Sequence, residues 1–111
     1  MNEMVIFAKE HGIAVTFIIV PHHADFQKRV REFGLIEDYL RFKHDMSRLP
    51  ARVIDFDYLN EITTQRANFR DPIHYNQEVG RLIVDEVFLG PLKIGKLLDS
   101  SWADQCSQFI F

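Results

Sequence analysis

The run IAVTFIIV, Ile13 to Val20, held between Gly12 and Pro21, constrains the fold more than any other part of the chain. It is an almost unbroken series of β-branched and aromatic residues. Such a run is the signature of a strand covered on both faces rather than one, as strands of parallel sheets are. Pro21 ends it, because proline has no N–H to continue a ladder. A strand of this kind asks for helical layers above and below, so an α/β architecture is the first expectation.

The flanking segments fit. Glu3 to Glu10 places Met4, Phe7 and Ala8 at helical spacing, and Gly12 is a stop signal. Ala24 to Met46 also reads as helix. Phe26, Val30 and Phe33 recur at i, i+4 and i+7, with Gln27, Lys28, Arg29 and Arg31 on the polar side. Gly34 breaks this stretch, and a second piece carries Ile36 and Leu40 as far as Met46 before Pro50 closes it. ARVIDF at 51–56 is a second short strand, followed by the polar connection NEITTQRANFR. From Asn76 the helical period returns with Val79, Leu82, Ile83 and Val87 on one face. Asn76 is a favourable N-cap, and Glu78 sits in the first turn, where the helix dipole welcomes an anion. Gly90–Pro91 ends that helix. A short helix around Ile94 to Leu98 is expected, and FIF closes the chain.

Strand, helical crossover and strand make a βαβ unit, so the two strands should be parallel. Two such strands do not make a self-sufficient sheet. IAVTFIIV is therefore expected in the middle of a wider one. The missing strands would come from a homo-oligomer or partner chain, or from a larger α/β domain of which this is the back portion, the preferred expectation.

Composition narrows the classes. The 111 residues make one domain at most, and 47% hydrophobic content with ten phenylalanines can supply a core. A net charge of −3 gives no electrostatic reason to expect a nucleic-acid partner. The one cysteine, Cys106, excludes an internal disulfide. No apolar run approaches the ~18 residues of a membrane span. No basic segment precedes an apolar core at the start, so no signal peptide is read and the compartment stays open.

The motif with chemical content is DPIHYN, residues 71–76. Three residues separate Asp71 from His74, and Pro72 restricts the turn between them, so the carboxylate can fold back onto the imidazole. Histidine suits a general base because its unperturbed pKa is near ~6.5. A carboxylate on one ring nitrogen fixes the tautomer and stabilises the imidazolium as it forms. Aspartate, proline and asparagine are equally ordinary turn and capping residues.

The order of elements, EDYLRFKHDMSRL before VIDF, and FRDPIHYNQEVGRLIVDEVF resemble the C-terminal half of SGNH hydrolases, in the bacterial branch associated with cell-surface polysaccharide modification. The resemblance covers roughly residues 1–90 and leaves 91–111 as a tail. It implies a partial flavodoxin-like three-layer α/β/α sandwich with a parallel sheet whose N-terminal part is missing. It implies Asp71 and His74 as two members of a Ser–His–Asp triad. It further implies action on ester-linked acyl groups, plausibly O-acetyl on a carbohydrate, by hydrolysis or transfer, without a cofactor, in a family often associated with the cell envelope. The family's G-D-S nucleophile block is absent. Ser47, Ser100, Ser101 and Ser107 do not sit in a strand-to-helix turn of that kind, so the chain alone should be inactive or nearly so. The alternative is a non-catalytic module that binds or assembles through its sheet edge.

Other candidates are read more plainly. His22 and His23 follow the first strand, where ligands of parallel sheets gather, and would line a substrate cleft or an exposed loop. With His74 they form a last-ranked zinc alternative. Asp55 and Asp57 are expected to solvate a loop at the end of the second strand. Phe26, Phe33, Phe42 and Trp102 are expected as core or capping aromatics, and Cys106 has no evident base.

Overall fold

The computed structural model describes residues 1–101. The elements are α1 (Asn2–Glu10), β1 (Thr16–Ile19), α2 (Ala24–Glu32), α3 (Ile36–Ser47), β2 (Arg52–Asp55), a 3-10 turn (Arg66–Asn68), α4 (Gln77–Phe88) and β3 (Lys96–Leu97). Trp102, Cys106 and the closing FIF lie outside the described residues. None of the described helices is long and apolar enough to cross a membrane.

Gly12 and Gly34 end α1 and α2 in the same way. Both have positive φ, +69° and +70°, where a Cβ would be strained. After Gly34, Leu35 N–H reaches back to Val30 O at 2.9 Å and Gly34 N–H to Arg31 O at 3.1 Å, the paired bonds of a Schellman stop. The break between α2 and α3 thus comes from one residue. Asn76 caps α4, its side-chain oxygen accepting from Val79 N–H at 3.0 Å.

β1 and β2 are parallel, Thr16 to Ile19 facing Arg52 to Asp55. Neighbouring side chains of β2 serve opposite faces of the sheet, as the pleat requires. Val53 packs with Ile19, Met46 and Leu98, against Leu40 of α3. Ile54 packs with Phe56, Ile62, Val79, Ile83 and Val87, against α4. Helices therefore cover both faces of an α/β sheet.

Four expectations meet the structure. First, among the described residues the order is β1-β2-β3, with β2 in the middle and β1 at an edge, so the central place expected for IAVTFIIV would need strands from outside them. Its apolar run is only partly covered, and Ile13 and Ile18 stay 55% and 38% exposed. Second, Ile94 to Leu98 is not helical. Glu86 Oε1 accepts from the N–H groups of Lys93, Ile94 and Gly95 at 2.8, 2.9 and 2.9 Å, and the backbone that follows is committed to β2. Lys96–Leu97 then pairs antiparallel with β2, making the sheet mixed rather than parallel. Gly95 permits this approach, since a Cβ there would stand 2.7 Å from Phe56. Third, α1 buries Val5 and Ala8, while Met4 and Phe7 face solvent. Fourth, Phe33 and Phe42 are 72% and 41% exposed, so neither is a core residue; Phe33 is the C-cap of α2.

Candidate functional site

Asp71 to His74 forms the tip of a small hairpin. Phe69 and Tyr75 make an antiparallel bridge, and Arg70 N–H donates to His74 O at 2.8 Å. Asn76, while capping α4, also ties this hairpin down through Nδ2 to Ala67 O at 2.9 Å. The tip is closed by Asp71 itself. Its Oδ1 accepts from Ile73 N–H at 2.8 Å and from His74 N–H at 2.9 Å. His74 Nδ1 lies 2.9 and 2.8 Å from the two carboxylate oxygens. One carboxylate thus builds the turn and holds the ring together.

The amide of Ile73 and the His74 ring hold Asp71 below the usual carboxylate range. The carboxylate is therefore charged at neutral pH and favours Nδ1–H on His74. That leaves Nε2 as the free basic nitrogen, and no group of the described residues engages it. Both side chains are open to water, His74 71% and Asp71 49% exposed. Their mutual attraction is accordingly well screened.

A second aspartate–histidine pair, absent from the sequence reading, joins the residues just beyond β1 and β2. Asp57, expected to solvate a loop, is buried just beyond β2 with its side chain 1% exposed. Its Oδ1 accepts from His22 N–H at 2.7 Å and from Gln27 Nε2 at 3.1 Å. Its Oδ2 lies 3.0 Å from His22 Nδ1 and also accepts the Tyr39 hydroxyl proton. Burial, then the Asp57 charge, pushes the Tyr39 phenol far above its ordinary value, so it stays a donor.

Asp55 is equally buried. Its Oδ2 pairs with Lys43 Nζ at 2.8 Å, and its Oδ1 accepts from Asp57 N–H at 2.8 Å. Lys43 also donates to Asp57 O at 2.5 Å. Burial raises the Asp55 pKa and lowers that of Lys43, each opposed by the other's charge. The His22 ring, 21% exposed, stacks on Phe26 with centroids 4.9 Å apart.

His23 serves the backbone. Its Nδ1 accepts from Asp25 N–H at 3.1 Å, capping α2, and its own N–H donates to Pro72 O at 3.1 Å. That last bond joins the end of β1 to the Asp71–His74 hairpin. A cleft of about 150 Å³ lined by His23, Asp25, Arg66, Phe69, Arg70, Asp71 and Pro72 lies along the seam. A shallower hollow of about 500 Å³, lined by Phe26, Arg29 and Ile73 as well, adjoins it through their shared Asp25, Asp71 and Pro72.

His22, His23 and His74 each direct Nδ1 to a different partner. Among the described residues no group of three or more His, Cys, Asp or Glu side chains is placed to hold a metal ion. Ser47 donates to His44 O at 2.5 Å and Ser101 to Asp99 at 2.5 Å, so neither hydroxyl serves His22 or His74.

The missed signal was the spacing of Asp55 and Asp57 against Lys43. A lysine and two aspartates flanking strand ends can neutralise one another only when the fold places them together, and no local pattern announces it. The chain matches no protein-family model, no curated protein and no solved structure.

Proposed function

We propose that the chain carries the acid–base half of an ester-cleaving or acyl-transferring site of the SGNH type, within a partial flavodoxin-like sandwich. The observation behind this reading is the contact of Asp71 with His74 Nδ1, at 2.8 Å, with Nε2 left unengaged at the surface. In such a site His74 takes the proton of a serine hydroxyl as the oxygen attacks the acyl carbonyl, and returns it to the departing alcohol. Asp71 keeps the proton on Nδ1 and stabilises the imidazolium. The serine and most oxyanion donors come from outside these residues. Among the described residues the outer edge of β1 is open and Met4, Ile6 and Phe7 are exposed on α1, which supports an incomplete sheet. The substrate is an O-acylated carbohydrate or a similar ester.

The test is an esterase assay on the chain extended upstream in its own reading frame, beside its His74→Ala form. A fall of ~10³-fold or more is expected from removal of a triad base. Equal activity would dismiss His74 as the base.

A second reading rests on the same edge. A strand paired on one side only among the described residues, with Ile18 exposed in it and Ile13 just before it, also suits a module that adds a strand from a partner or a second copy. An oligomer of the chain that survives dilution, with no esterase activity in the extended form, would favour it.

A further inference from the structure

Burying an ion pair is costly and often no better for stability than apolar packing. Here Lys43, Asp55, Asp57 and Gln27 are all fully buried, in one network at the carboxyl ends of two adjacent parallel strands. Ligands of open α/β sheets bind at that edge. His22 is the member of this network whose ring is joined to the buried Asp57 carboxylate while still reaching the surface.

Its Nδ1 is held by that carboxylate and its backbone N–H by the other carboxylate oxygen. Phe26 lies against the ring face. Asp57 is in turn fixed by Gln27, Tyr39 and, through its backbone, by Asp55 and Lys43. This layered support is what a preoriented imidazole requires. No group of the described residues engages Nε2.

We propose that His22 is a second imidazole presented to ligand, beside Phe26 of the hollow, offering Nε2 as hydrogen-bond acceptor to a hydroxyl of the bound ligand. The ligand class, a hydroxyl-bearing ester, rests on the function proposed above; the poise of the ring does not. His22 precedes His23, whose N–H donates to Pro72 O, and His74 follows Pro72 by two residues. His74 would serve the attacking hydroxyl and His22 would hold the alcohol portion.

The test uses the 111-residue chain itself. Ring-nitrogen NMR reads the tautomer of each histidine, and diethyl pyrocarbonate followed by peptide mass spectrometry reads the reactivity of each Nε2. Neutral His22 is expected as the Nδ1–H tautomer, carbethoxylated at Nε2 despite its modest exposure. Saturating 6-O-acetylglucose, the probe, should slow that modification several-fold. Asp57→Asn should invert the tautomer. Where that variant unfolds, Tyr39→Phe, which leaves Asp57 Oδ2 to His22 Nδ1–H alone, should raise the reactivity of the neutral His22 ring with the fold retained. An Nε2–H tautomer in the parent chain, an unreactive ring, or modification at the same rate with and without the probe would each overturn the proposal. If His22 behaves as expected while the extended chain shows no His74-dependent esterase activity, the ester reading fails and the second imidazole stands.

Discussion

Asp57→Asn separates the two aspartate–histidine pairs by their energetics. The Asp57 carboxylate accepts from His22 N–H, His22 Nδ1, Gln27 Nε2 and the Tyr39 hydroxyl, two donors to each oxygen. An asparagine keeps one oxygen and turns the other into a donor. If the NH₂ group takes the Oδ2 position, the Tyr39 hydroxyl can rotate to accept, and His22 Nδ1 can accept by moving its proton to Nε2. Shape and hydrogen-bond count then survive, and the charge is lost. A hydrogen bond to a charged group contributes ~1.5–3 kcal/mol against ~0.5–1.5 for a neutral one. Each of the four bonds then weakens by ~1–1.5 kcal/mol, an expected cost of about 4–6 kcal/mol. That is a large share of the ~5–15 kcal/mol typical of a domain. Urea unfolding of the variant beside the parent measures it. Asp71→Asn, at a water-exposed site with nearly the same Nδ1 distance, should leave the unfolding midpoint almost unmoved. A cost below ~1 kcal/mol for Asp57→Asn, or equal losses for the two variants, would refute burial as the distinction between the pairs.

Three further outcomes follow from the geometry. Glu86→Ala strands three N–H groups of Lys93, Ile94 and Gly95 and should cost ~3–4 kcal/mol in urea unfolding, with early loss of amide-exchange protection at Gly95; a cost under ~1 kcal/mol would contradict the anchoring of β3. Asp71 titrates below its unfolded value of ~3.9, so its turn is intact above that pH and opens as pH falls through the lower folded value. The amide shifts of Ile73 and His74 should titrate together at that low pH, and movement at or above ~4 would be wrong for this turn. Tyr58 donates to Ile94 O at 2.5 Å, and burial, with Asp55 and Glu86 nearby, pushes its phenol up to about 12. Its contribution is complete below ~10 and is lost as pH rises through the folded value, so Tyr58→Phe should flatten the alkaline fall in stability.

Local signals carried most of the legible structure. Gly34 and Asn76 act through hydrogen bonds within a few residues, and the helix limits they set could be read directly. The Asp71–His74 contact was legible for the same reason, since a proline turn of three residues leaves the carboxylate little else to reach. What escaped depends on distant partners. β3 exists because Glu86 of α4 binds amides seven to nine residues ahead and because β2 offers it an edge. The apolar run of β1 reports that its residues suit a covered strand, not whether cover is present in these residues. Asp57 looked like a loop residue because its four donors come from β1's end, α2 and α3. The buried lysine that steadies it had only the period of an ordinary helix to announce it.

The most direct measurement is the ester-hydrolysis rate of the upstream-extended chain, with His74→Ala and Asp71→Asn compared under one set of conditions. The account predicts a loss of ~10³-fold or more for the imidazole and a smaller, still clear loss for its exposed carboxylate partner. Hydrolysis that proceeds at the parent rate in both variants would contradict it.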